Sequence, residues 1–258
     1  MKSFQTLSLT VDKRDVCYLE LSLEEKRNAL SALMIDELTE FAETVSEEKP
    51  YRAIVLSGKG RVFCAGGDLS WMQAQIEADR ETRMKEARKL ANMLKALNEM
   101  PVPLIGKIHG GAFGGGVGMA CICDVTVAED NTKLGLTETR LGLIPATIGP
   151  YVIARLGEGK ARQVFMSARL FDANEAQSLG VISKVCHVDE LDERIEFEIE
   201  PYLSAAPHAV GAAKDFARSL GPTIDDAVID DSIRRLADIW EGAEAKERID
   251  AFFNKDKK

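Results

Sequence analysis

Two stretches of the chain leave the backbone bare. Phe63-Cys64-Ala65-Gly66-Gly67-Asp68-Leu69 follows a short apolar run, and His109-Gly110-Gly111-Ala112-Phe113-Gly114-Gly115-Gly116-Val117-Gly118 leads into a helical pattern. Glycines admit unusual dihedrals and remove side chains that would keep a ligand from the amides. Amides at a helix amino terminus also point outward with partial positive charge, so an anionic oxygen fits such a place. Tight turns and close helix packing explain glycine clusters about as well, and the neighbouring residues must decide.

Those neighbours remove several chemistries. A phosphate-cradling loop ends in Gly-Lys-Ser/Thr, whereas Gly116 is followed by Val117 and Gly118. A dinucleotide fingerprint on Gly114 and Gly116 puts Met119 where a third glycine or an alanine is needed, which leaves a nucleotide-dependent redox domain as a weak alternative. His109-Gly110-Gly111 would suit an esterase oxyanion loop, but no Gly-x-Ser-x-Gly elbow supplies a nucleophile. His109, His187 and His208 lack metal-ligand spacing, so no metal is expected.

The elements that hold these loops follow from periodicity. Alternation in Leu7 to Val11 and in Val16 to Leu21 predicts a hairpin turning at Asp12-Lys13-Arg14-Asp15. Ser31 reads as the cap of a helix carrying Leu33, Ile35, Leu38, Phe41 and Val45. Strands at Arg52 to Leu56, Leu104 to Ile108 and Val125 to Ala128 alternate with helices at Glu77 to Glu99 and from Gly115, the pattern of parallel crossover units. Asp68 is placed to cap a helix beginning near Leu69. From about Val188 the pattern is helical, with Pro207 to Leu220, Ile224 to Trp240 and Glu241 to Phe253, and reads as a helical appendage without a linker.

Bulk properties agree with one compact unit. The 258 residues are 45% hydrophobic, enough for a sizeable core, and the formal net charge of -9 gives no reason to approach a nucleic-acid backbone. Cys17, Cys64, Cys121, Cys123 and Cys186 read as buried reduced thiols. With no long apolar run or leader-like amino terminus, no membrane contact is expected and a cytoplasmic location is.

The two glycine segments are followed by Asp124, by Leu134-Gly135-Leu136-Thr137-Glu138-Thr139-Arg140-Leu141-Gly142-Leu143-Ile144-Pro145, and by Ala173-Asn174-Glu175-Ala176 with Leu179-Gly180-Val181-Ile182. In this order and spacing the segments resemble the enoyl-CoA hydratase/isomerase family, also called the crotonase family. The resemblance spans nearly the whole chain, from Lys26-Arg27-Asn28-Ala29-Leu30, which is similar to the family's coenzyme A loop, to the tail with Phe252-Phe253.

The resemblance implies an α/β fold, a crotonase-like spiral of repeated ββα units over residues 1–195. A helical region over 196–258 would trimerise, giving a homotrimer or a dimer of trimers. It implies that the Gly67 and Gly115 amides form an oxyanion hole, that Glu138 is the acid/base, and that Lys26, Arg27, Ala29, Ala65, Asp68, Leu69 and Gly118 border the acyl-CoA. Coenzyme A enters as part of the substrate, so no separate cofactor is implied.

One departure matters. Hydratases of the family that use two carboxylates carry the first where this chain has Gly118, which cannot titrate. Simple two-glutamate hydration is then in doubt, and an isomerase with a single base or a hydratase that positions water differently is expected. The run Leu141 to Val152 is similar to the branch associated with methylglutaconyl-CoA, which favours the hydratase. Gly118 is expected to widen the acyl pocket, with Trp71 and Met72 near its wall. Arg140 is a candidate for a substrate carboxylate, although a helix-surface arginine explains it as well. A catalytically silent CoA-binding relative is the remaining alternative.

Overall fold

A computed structural model describes residues 4–48 and 50–255. The strands β1 (Leu7–Val11) and β2 (Val16–Leu21) form the expected antiparallel hairpin, with Leu9 opposite Leu19. Ser31 Oγ accepts from Met34 N–H at 3.2 Å and starts α1 (Ala32–Glu48). Then come β3 (Ala53–Gly58), α2 (Leu69–Glu77), α3 (Arg80–Glu99), β4 (Leu104–Ile108), β5 (Gly111–Phe113), α4 (Gly115–Ile122), β6 (Val125–Glu129) and β7 (Lys133–Gly135). A 3-10 turn at Glu138–Leu141 precedes α5 (Gly149–Leu156), α6 (Glu158–Phe165), β8 (Leu170–Asp172), α7 (Ala173–Leu179) and β9 (Lys184–Cys186). The chain ends in α8 (Leu191–Ser204), α9 (Pro207–Ser219), α10 (Asp226–Trp240) and α11 (Ala243–Lys255).

The strands sort into two sheets as the chain winds. The larger has the order β1-β2-β3-β4-β6-β9, parallel from β2 onward, and the smaller has β5-β7-β8. Two turns, β4-β5-α4 and β6-β7-α5, add one strand to each sheet and then a helix, the ββα unit of the expected α/β spiral; the opening hairpin and β3 extend the large sheet alone. Period-two alternation divides the large sheet between two cores. Cys17, Leu19, Ile54, Leu56 and Leu104 face the main core with α1 and α3, while Val16, Ala53, Val55, Ile105 and Val127 pack against Leu191, Ile195 and Ile199 of α8.

The carboxy-terminal helices are not a free appendage. Ile229 and Ile233 of α10 pack on Ala87 and Ala91 of α3, and Ala245 and Ile249 of α11 pack on Leu143 just past the Glu138 turn. Such apolar faces are costly to leave in water, so the tail folds back onto its own core. The helix expected at Glu77 to Glu99 is α3, which starts three residues later because Asp79 caps it by accepting from Thr82 N–H at 2.8 Å, and Asp68 starts the separate helix α2 at Leu69 as expected. Among the described residues no helix is long and apolar enough to cross a membrane.

Candidate active site

The two glycine loops are laced together by short parallel bridges. Leu30 pairs with Gly67, and Cys64 pairs with Ala112. In the first bridge Leu30 N–H donates to Gly66 O at 2.7 Å and Asp68 N–H donates to Leu30 O at 3.1 Å. A parallel bridge bonded on both sides of Gly67 turns that residue's own N–H away from Leu30. In the second, Cys64 N–H donates to Gly111 O at 3.1 Å and Phe113 N–H to Cys64 O at 3.0 Å.

Gly115 is the first residue of α4, whose earliest internal bond is Gly118 N–H to Gly114 O at 3.1 Å. The amides before Gly118 are the orphan donors that every helix start leaves. Among the described residues neither the Gly67 nor the Gly115 N–H has an acceptor.

Of the residues that precede the two bare amides, Gly114 lies against both Gly66 and the candidate base. A Cβ built on Gly114 would stand 3.1 Å from Glu138 Oε1 and 4.0 Å from Gly66 Cα. Gly114 has φ +49° and Gly66 φ +95°, the left-handed region in which glycine is the least strained residue. A Cβ on Gly66 would also come within 3.0 Å of Phe113 O, so both positions need glycine for conformation and for close approach.

Glu138 opens the 3-10 turn, and the residue is only half-buried as a whole. Its Oε2, however, is sealed from solvent and has no hydrogen-bond partner. Burial pushes its carboxyl up to about 7, opposed only by its own backbone N–H, and no charged neighbour contributes. A carboxyl poised there can take up and release a proton near neutrality. The turn is fixed by Leu143 N–H to Glu138 O at 3.1 Å and by Gly142 in the left-handed region, against Ala245 of α11. Cys64, close to this site, has its thiol pushed up to about 12 by burial and is a poor nucleophile.

The remaining expected positions divide. Asp68 caps α2 by accepting from Trp71 N–H at 2.9 Å and pairs with Lys26 Nζ at 3.0 Å. Burial would raise its carboxyl, but the Trp71 N–H and Lys26 together hold it below the ordinary value. Lys26 is thus tied to the first glycine loop, and Arg27, in the left-handed region at φ 53°, is exposed beside it. Ala65 N–H donates to Arg27 O at 3.0 Å, Ala29 is buried, and Leu69 is 49% exposed. Met72 reaches the first donor, its Cγ and Sδ 3.6 Å from a Cβ built on Gly67. Arg140 is exposed on the turn.

Gly118 differs from expectation. It is buried, and a Cβ there would stand 2.7 Å from Ile148 Cγ2 and 3.0 Å from Ile148 Cβ. The space expected to open for an acyl chain is taken by Ile148, because the loop leading into α5 folds its apolar side chain onto the face of α4.

Sequence reasoning missed two supports. Asn28 is buried and donates to Lys59 O at 2.8 Å and Val62 O at 3.0 Å while accepting from Leu23 N–H at 3.0 Å. Leu30 Cδ1 lies 2.5 Å from where a Cβ on Gly115 would be, so this leucine methyl packs directly over the second bare amide. The run Lys26 to Leu30 carries no local signal of either, because Asn28 meets Lys59 and Val62, and Leu30 meets Gly115, across distant segments.

Comparison with known proteins identifies the family. The enoyl-CoA hydratase/isomerase family model matches residues 12–258. Enoyl-CoA hydratase AKT6-1 of Alternaria alternata is 35% identical over 202 residues, 77% of this chain and 65% of that protein. The mitochondrial methylglutaconyl-CoA hydratase of Mus musculus is 31% identical over 179 residues, 69% of this chain and 56% of that protein. The chain thus spans less than two thirds of the length of these two relatives. The crystal structure of an enoyl-CoA hydratase from Shewanella pealeana superposes with a TM-score of 0.81 at 33% identity, covering 98% of this chain and 94% of that one.

Proposed function

This chain belongs to the enoyl-CoA hydratase/isomerase family, and from that premise we propose that it adds water to a 2-enoyl-CoA thioester, with Glu138 moving the proton and the Gly67 and Gly115 amides holding the enolate oxygen. One observation carries the reading: the peptides that bear the two unbonded N–H groups meet at Gly66 and Gly114, and Glu138 Oε1 lies beside Gly114.

When oxygen adds at C3, negative charge moves to the thioester oxygen, where two preorganised donors are worth most; losing one typically costs about 3–4 kcal/mol of barrier. The proton balance needs only one carboxylate. The proton that Glu138 takes from water is the one it returns to C2, so a carboxyl titrating near 7 serves both steps. The acyl group of this proposal is branched or carboxylated, as in methylglutaconyl-CoA. Coenzyme A is bound as part of the substrate, and no other cofactor takes part. A homotrimer or dimer of trimers belongs to the same reading, supported by the exposed Phe197 of α8 and Phe216 of α9.

A second reading has its own support. Ile148 occupies the space beside Gly118, so no carboxylate stands there, and double-bond migration in a 3-enoyl-CoA also needs a single base. Incubating the wild type and Glu138→Gln with crotonyl-CoA, 3-methylglutaconyl-CoA and a 3-enoyl-CoA separates the two by which thioester is consumed. Equal activity of the variant on the best substrate removes Glu138 from the mechanism.

A further inference from the structure

Beyond the oxyanion loops, one internal space collects polar atoms that lack partners. Gln75 of α2 is 5% exposed and its Oε1 has no hydrogen-bond partner; Nε of Arg83, a largely buried residue of α3, has none either. Both residues line a cavity of about 30 Å³ whose other walls are apolar, with Trp71, Met84, Ile233 and Trp240 among them. Unpartnered buried polar atoms are few in folded proteins, and each calls for a physical account.

The rest of Arg83 is already anchored. One terminal nitrogen donates to Ala78 O, and the other stands 3.6 Å from Glu241, a carboxylate that Arg80 holds at 2.8 Å. The guanidinium plane is therefore fixed with its Nε–H left over.

Helix α2 sets this cavity beside the reaction site. Met72 and Ile76 form one stripe of that helix: Met72 touches the Gly67 loop, and Ile76 packs on the cluster of Leu143, Ala245 and Ile249 beside the Glu138 turn. Trp71 and Gln75, spaced i and i+4, form the next stripe and face the cavity. Neighbouring side chains of α2 thus face both places, and Met72 is of the most adaptable type.

We propose that this cavity receives the distal end of the acyl chain, and that Arg83 with Gln75 selects a chain ending in a hydrogen-bond acceptor, a carboxylate above all. The inference rests on the acyl-thioester reading given under Proposed function. A volume of about 30 Å³ has room for one or two waters, and so for the two oxygens of a carboxylate. The apolar walls cover the methylenes, Arg83 Nε–H makes a charge-assisted bond, and the Gln75 amide presents its NH₂ by a half-turn of its terminal torsion. Ordered water would satisfy the same atoms without any preference between chain ends.

The test uses the full chain and saturated acyl-CoA thioesters of matched length ending in methyl or carboxylate, titrated by calorimetry. The wild type is expected to bind the carboxylate-ended thioester at least about tenfold more tightly, as one charge-assisted bond allows. Gln75→Leu and Arg83→Lys, the second of which keeps the charge but loses the Nε–H, should each erase most of that preference while leaving affinity for the methyl-ended thioester unchanged. Equal wild-type affinity for the two ends, or variants that weaken both equally, overturns the proposal in favour of bound water. If neither thioester binds, the acyl-CoA reading itself fails, an outcome distinct from equal binding. Should either variant not fold, the wild-type comparison still decides.

Discussion

Ile148 Cγ2 sits 2.7 Å from the point at which a Cβ on Gly118 would stand, so the glycine in α4 and the isoleucine before α5 are fitted to each other. That fit explains why a residue that could not titrate is kept in a helix interior, where glycine costs about 1 kcal/mol relative to alanine.

The pair predicts a reversal of sign. Gly118→Ala alone should destabilise the protein by about 1–3 kcal/mol in urea unfolding, since Ile148 Cβ as well as its methyl stands in the way. In an Ile148→Ala background the same substitution should be neutral or stabilising, because the clash is gone and the helix propensity remains. Additive effects in the double-mutant cycle would show that the two side chains do not compete for one space.

At the proposed oxyanion hole the prediction is a contrast between neighbours. A Cβ on Gly67 meets only Met72 at an ordinary 3.6 Å, so Gly67→Ala should keep kcat/KM within a few-fold of wild type on the best substrate. Gly66→Ala must hold alanine at φ +95° with its Cβ 3.0 Å from Phe113 O, and the strain should displace the donor peptide. Losing an oxyanion donor costs about 100- to 1000-fold in kcat, and a loss of that order is expected at Gly66 with KM little changed. Similar rates for the two variants would detach the Gly67 amide from the reaction.

Much of this arrangement was legible in the sequence. Side-chain periodicity marked the hairpin, β3, β4, β6 and most helices, and the glycine runs marked bare amides. The three-residue strands β5, β7 and β8 were not legible, because their pairing depends on tertiary register rather than on alternation. Ile148 against Gly118, and α11 against the Glu138 turn, are contacts between distant segments that local pattern does not encode. The same holds for the Gln75 and Arg83 cavity, since neither residue differs in sequence from a surface-helix polar residue.

Glu138 makes the protein's stability depend on pH in a defined direction. Its carboxyl is raised from 4.5 to about 7 by burial, so the native state binds a proton more tightly than the unfolded chain. The stabilisation from the neutral form is complete below about pH 4.5 and is lost as pH rises through about 7. Glu138→Gln, neutral throughout, should be more stable than wild type at pH 8 by up to about 3 kcal/mol, because each tenfold change in proton affinity between the two states is worth roughly 1.4 kcal/mol. The two melting temperatures should converge toward pH 4.5. A constant difference across that range would mean that the carboxyl is not desolvated in the native state.

The last prediction concerns why Glu138 is desolvated. Ile249 of α11 is buried with Ala245 against Leu143, five residues beyond Glu138, so the carboxy-terminal helix helps to cover the turn that carries the proposed base. Ile249→Ala should cost about 2–5 kcal/mol if the site cannot collapse, and should let water reach the turn. Water near the carboxyl lowers its pKa from about 7 toward the ordinary glutamate range, because desolvation is the only cause that raises it. As a base, Glu138 must be ionised in the free enzyme, so kcat/KM of the wild type should fall as pH drops below about 7. In Ile249→Ala that acid limb should move to lower pH while the maximal rate stays nearer wild type than in Glu138→Gln. A variant that melts earlier but keeps the acid limb unchanged would show that α11 stabilises the turn without setting the proton affinity of Glu138.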